Sequence, residues 1–118
     1  MDNKQPRNYK LDKLIEYIGN EEDVLKDMIG IFLNTTPDLI DEMNKGLQAE
    51  SYDIIGKNAH KLKPTLDIFG IQSLHEIVRT IELLAAQQKN MHKISSLIEF
   101  MENTLNTVYL EIKEDYNM

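Results

Sequence analysis

Apolar residues recur every three to four positions through nearly the whole chain, the spacing of one face of an α-helix. Leu11, Leu14, Ile15 and Ile18 mark a short first helix within YKLDKLIEYIGN, which Gly19-Asn20 closes. Residues 21–50 carry a second stripe: Val24, Leu25, Met28, Ile29, Phe32, Leu39, Ile40, Met43 and Leu47. The acids Glu21, Glu22 and Asp23 suit the positive end of its dipole. Within it, Thr36-Pro37 allows two readings, a new helix start or a bend on the outer side of one long helix. The stripe keeps its phase across Pro37, which favours one bent helix. A third helix runs from near Ser51 to about Phe69 and ends at Gly70. Ile71, Leu74, Ile77, Val78, Ile81, Leu84 and Ala85 stripe a fourth. After the polar join QQKN, Ile94, Leu97, Ile98, Met101, Leu105, Val108, Tyr109 and Ile112 stripe a long fifth. No run of alternating β-branched residues lies between turn residues, so no strand is predicted. The expected fold is all-α: an antiparallel four-helix bundle with a short N-terminal capping helix. It forms one domain over residues 1–118, with its core at about 10–112.

Length agrees with that count, because 118 residues supply one core and are too few for two. The six methionines fall mostly on the stripes and read as core filler. There is no cysteine, which removes disulfides, thiol catalysis and Cys-based zinc sites and favours a cytoplasmic location. No stretch approaches the roughly 20 apolar residues of a membrane span, and the first ten residues hold no apolar signal region. The net charge of −7 argues against nucleic acid or an anionic membrane as a partner; any basic patch must be local.

One local patch exists, in AHKLKPTLDIFG at 59–70. At about 100° per residue, Ile54, Ile55, Ala59, Leu62, Leu66 and Phe69 fall within an arc of about 140°. His60 lies roughly 160° from the middle of that arc. The imidazole therefore stands on the outer face, with Lys57 and Lys63 one turn to either side and Pro64 and Asp67 on the same face. A solvated surface histidine is the bland reading. Against it, an acidic chain places Lys57, Lys61 and Lys63 within seven residues around that ring. Such cations disfavour the protonated ring and would stabilise an anion attached to it, so the pattern suits a phosphoryl acceptor. Pro64 lacks the N–H that would bond to the carbonyl of His60. It is either a harmless outer-face bend or a device that leaves room beside His60 for another protein.

These residues resemble the histidine-containing phosphotransfer (HPt) family of two-component phosphorelays. The family pattern is a small residue, His, any residue, Leu, Lys, a small residue, Ser or Thr, then Gly. Ala59, His60, Leu62, Lys63, Pro64, Thr65 and Gly70 stand in that register. FLNTTPDLIDEMNKGL and YDIIGKNAHKLK resemble the segments leading into the histidine helix, and GIQSLHEIVRTIE, with Leu74 and Glu82, the helix after it. The likeness covers roughly residues 10 to 112, and Pro64 departs from the usual glycine. The resemblance implies that His60 accepts a phosphoryl group, by family analogy on Nε2, from the aspartyl phosphate of a receiver domain and passes it to another receiver. Lys63 would neutralise phosphoryl oxygens. Lys57, Lys61, Pro64 and Asp67 would meet the partner, and Gly70 would be structural. Implied partners are response-regulator receiver domains and a hybrid sensor histidine kinase. No cofactor is expected on this chain, Mg²⁺ belonging to the receiver, and a monomer suits a shuttle.

Other chemistries find little support. His60, His75 and His92 share no i, i+4 spacing, so no metal pair lies on one helix face. His75 reads as a hydrogen-bonded flank residue and His92 as solvated. Neither G-x-x-x-x-G-K-[ST] nor G-x-G-x-x-G occurs, so an autonomous ATP-using kinase is not expected. The alternative from another class is a helical interaction module that binds a partner through the face around His60 and transfers nothing. Such a face would more often display aromatic or broad apolar surface than cations.

Overall fold

The structure is a computed structural model and describes residues 6–118; residues 1–5, included in the domain bounds read from the sequence, lie outside the described residues. Five α-helices follow one another: α1 (Asp12–Ile18), α2 (Glu22–Gln48), α3 (Tyr52–Ile68), α4 (His75–Gln87) and α5 (Met91–Tyr116). Helices α2 to α5 pack in sequence and α5 returns against α2, so the fold is all-helical and the four form a bundle. The short joins between them turn the chain back on itself each time.

Why the helices sit where they do follows from the sequence. The stripes of α2 to α5 converge on a core that includes Ile29, Phe32, Met43, Ile55, Leu62, Leu66, Ile81, Ile98 and Met101. Phe32 stacks on Phe69 at 4.2 Å between ring centroids and meets Tyr109 edge-on at 5.7 Å, tying α2 to the end of α3 and to α5. Ser51 caps α3, its hydroxyl accepting from the Ile54 N–H at 3.2 Å. Helix α2 passes through Pro37 unbroken, as the phase of its stripe requires.

Three details differ from the sequence reading. Val24, placed on the stripe, is exposed, and its neighbour Leu25 takes the buried position. The fourth helix begins later, since residues 72–74 form a single 3₁₀ turn and α4 starts only at His75. The first helix is shorter than YKLDKLIEYIGN, because residues ahead of it run along the bundle as a strap. Arg7 Nη2 donates to Asp115 Oδ1 at 2.8 Å and to Glu114 Oε1 at 3.1 Å. The Asn8 backbone N–H and its Nδ2 both donate to the Glu111 carboxylate at 2.9 Å. Lys10 N–H then bonds to Phe69 O at 3.1 Å, which brings the strap against the end of α3.

That closure depends on Gly70. Its φ is +60°, the left-handed region, and the Ile71 N–H reaches Leu66 O at 3.0 Å, as in a Schellman stop. A Cβ on Gly70 would lie 2.5 Å from the Lys10 carbonyl oxygen. Gly70→Val is therefore expected to cost at least about 1–3 kcal/mol. Thermal unfolding should report this as a lower Tm; an unchanged Tm would show that the strap yields freely.

Candidate functional site

Helix α3 carries His60 on its solvent side because the opposite side is committed to the core: Ile55, Ala59, Leu62 and Leu66 are fully buried. The His60 side chain is 70% exposed. Among the described residues, its ring is anchored at one nitrogen only. His60 Nδ1 lies 2.6 Å from Glu82 Oε2 of α4. The other oxygen of that carboxylate, Oε1, accepts from Lys63 Nζ at 2.7 Å. Glu82 thus holds two neighbouring turns of α3 at once.

The local sequence lets Glu82 reach. Gly56 faces Ala85 so closely that a Cβ placed on it would lie 3.2 Å from the Ala85 Cβ. Small residues at that crossing bring the α3 and α4 backbones together. Glu82, one turn before Ala85 and Ala86, then meets His60 and Lys63 directly.

Charge fixes the roles of the ring nitrogens. The Lys63 hydrogen bond, with a smaller contribution from His60, holds the Glu82 carboxyl below its ordinary range despite partial burial. Glu82 is therefore an acceptor at neutral pH, and Nδ1 must carry the proton between them. The neutral ring then presents an unprotonated Nε2, with its lone pair directed away from the anchor. The stability these contacts add is present at neutral pH and is lost as the pH falls through the depressed pKa of Glu82.

The sequence-predicted residues do not all gather at the ring. Lys57 and Lys61 are exposed, and among the described residues neither forms an ion pair. Lys63 is 33% exposed and already engaged by Glu82. The nearest charge to the imidazole is consequently a carboxylate, not an ammonium group. Asp67, expected on the docking face, is engaged toward α1, where Lys13 Nζ donates to both its oxygens at 3.0 and 3.1 Å. Pro64 lies one turn beyond His60, inside an unbroken α3, and lines an open groove. His75 Nε2 is 3.4 Å from Leu66 O, a flank contact behind the site. His92 is exposed near the start of α5.

Glu82 as the partner of His60 is the residue that sequence reasoning missed. It lies 22 positions away on the next helix. The available signal was the small-residue crossing at Gly56, Ala85 and Ala86, with one acid a turn before it on α4. Among the described residues no cluster of three or more His, Asp or Glu side chains is arranged to hold a metal ion. No described helix is long and apolar enough to cross a membrane.

A ring nitrogen exposed outside a helical bundle, with the other nitrogen's proton donated to a buttressed carboxylate and lysines around it, can accept and release a small anionic group. A model of one protein family, described as the Hpt domain, matches residues 27–114 of the chain. No curated protein and no solved structure matches it.

Proposed function

Because the chain belongs to the Hpt-domain family, we propose that it is a phosphorelay carrier working through His60. A receiver domain docks with its aspartyl phosphate against the exposed ring. Nε2 forms a bond to phosphorus while the bond from phosphorus to the aspartyl oxygen breaks, and the receiver recovers its carboxylate. The ring, now bonded at Nε2 and protonated at Nδ1, gains positive character, which the Glu82 carboxylate stabilises. Transfer to a second receiver runs the same exchange in reverse. Such a step asks mainly for alignment and charge neutralisation, which an anchored ring supplies. Mg²⁺ and most of the catalytic groups would belong to the receiver, and the setting would be the cytoplasm.

The observation that carries this reading is the single anchor: Nδ1 is tied to Glu82 at 2.6 Å while the ring stays 70% exposed. Lys57 and Lys61, without carboxylate partners among the described residues, suit docking onto an acidic receiver cleft. The test is incubation with a panel of phosphorylated receivers. The expected product is a phosphoprotein labile in acid and stable in base; absence of label from every receiver would overturn the proposal.

Lys63 has a double role here. It fixes Glu82 in the free protein and lies one turn from the ring, within range of an incoming phosphoryl oxygen. Lys63→Ala is expected to slow transfer by roughly tenfold. It should change stability by about 1 kcal/mol or less, as partly exposed ion pairs do. Stopped-flow or quenched transfer assays beside thermal melts check both halves, and an unchanged rate removes Lys63 from the site.

A further inference from the structure

On the phosphocarrier reading of His60, we propose that Gly56 is a positioning residue for phosphoryl transfer. It keeps α3 and α4 close enough for Glu82 to hold Nδ1, and α3 gives up some helix stability for that closeness. Glycine inside a helix is destabilising relative to alanine. Gly56 nevertheless stands within α3, one turn before His60. Its φ is not positive, so no left-handed turn calls for glycine there.

The neighbouring helix supplies the reason. A Cβ on Gly56 would lie 3.2 Å from the Ala85 Cβ. Ordinary carbon contacts are about 3.5–4.0 Å. Gly30, also helical, faces open space by comparison. The Ala85 Cβ is fixed to its backbone and cannot rotate aside, and Ala85 is buried. A methyl group at position 56 must therefore part the two backbones, by about 0.5 Å to restore normal contact.

That displacement falls unequally on the two bonds of Glu82. His60 Nδ1 is 2.6 Å from Oε2, and Lys63 Nζ is 2.7 Å from Oε1. A lysine has four side-chain torsions and follows a carboxylate that moves away. An imidazole has two, and turning the ring after a receding acceptor also turns Nε2 from its outward direction. The Nδ1 bond is the one that weakens, and the Lys63 bond persists. No charge is added or removed, so the effect is one of geometry. Ala85 is the reciprocal half of the device: glycine at 85 would make room for a methyl group at 56.

The test compares the full-length wild type, Gly56→Ala and the double variant Gly56→Ala/Ala85→Gly. Phosphoryl transfer from a phosphorylated receiver is measured first. Labelling of His60 by phosphoramidate, a small phosphodonor that needs no docking surface, runs in parallel. The share of neutral His60 that carries its proton on Nδ1 is read from ¹⁵N shifts in the unphosphorylated chain. In Gly56→Ala, both transfer and phosphoramidate labelling should fall about three- to tenfold, as a sub-ångström misplacement does. The Nδ1-protonated share should fall with them. Thermal melting should stay within a few degrees of the wild type, because the better helix former offsets the strained crossing. The double variant should recover both rates and the tautomer.

Unchanged rates and tautomer in Gly56→Ala overturn the proposal and leave the carrier role standing. A loss with the receiver alone, phosphoramidate labelling being unchanged, assigns Gly56 to docking and overturns it too. So does a double variant that melts like the wild type yet recovers neither rate nor tautomer. A wild-type chain labelled by neither receivers nor phosphoramidate overturns the carrier reading and, with it, the role of Gly56 in transfer.

Discussion

Replacement of His60 by glutamine is expected to abolish phosphoryl uptake and leave the bundle intact. The first half follows from chemistry. An amide has no nucleophilic ring nitrogen, and no other imidazole can substitute, since His75 packs behind α3 against Leu66 and His92 stands on α5. The second half follows from position. The His60 side chain is 70% exposed, and the residues that hold α3 in the core, Ala59 and Leu62 among them, are untouched. Glutamine can still donate to Glu82, so the acid is not left unpaired. Exposed substitutions of this kind usually shift stability by about 0.5 kcal/mol or less. Phosphoprotein analysis and a thermal melt on the same sample check both. Label retained in the His60→Gln chain would move the site elsewhere.

Removal of Glu82 is expected to produce the next largest effect. In Glu82→Ala the Nδ1 proton loses its acceptor, and the neutral ring divides between two tautomers, of which only one exposes the Nε2 lone pair. That division alone costs a factor of a few. The ring also regains rotation, and the positive character it acquires on phosphorylation loses its counter-charge. Orienting carboxylates beside functional imidazoles are commonly worth roughly 10- to 100-fold, and a loss in that range is expected here. Each tenfold corresponds to about 1.4 kcal/mol of barrier. Glu82→Gln should fall between the two, because its carbonyl oxygen still accepts from Nδ1 but carries no charge. Transfer rates that Glu82→Ala leaves unchanged would reduce the 2.6 Å contact to a structural one.

Periodicity located every helix, because burial of a continuous stripe over α2, α3, α4 and α5 is what stabilises them. The outward direction of His60 was legible for the same reason, as a matter of phase on one helix. The contacts around it were not. Glu82 reaches His60 only because α3 and α4 approach at Gly56 and Ala85, and helix phase does not report the distance between two helices. Lys63 and Asp67 looked alike as charged residues of the outer face, yet one is held by α4 and the other by α1. The strap of residues 7–10 was hidden because its bonds pair it with Glu111, Glu114 and Asp115, about a hundred positions away, without apolar periodicity to announce it. Gly70 was readable as a helix stop, whereas the Lys10 carbonyl occupying the space beside it was not.

Phosphoryl transfer through His60 turns on which ring nitrogen is free. The direct measurement is phosphorus–nitrogen coupling by NMR in the chain labelled with ¹⁵N-histidine, after transfer from a phosphorylated receiver. Coupling of phosphorus to Nε2 of His60, with a proton retained on Nδ1, is the result predicted from the Glu82 anchor. Coupling to Nδ1, or a phosphoryl group carried by any residue other than His60, would contradict it.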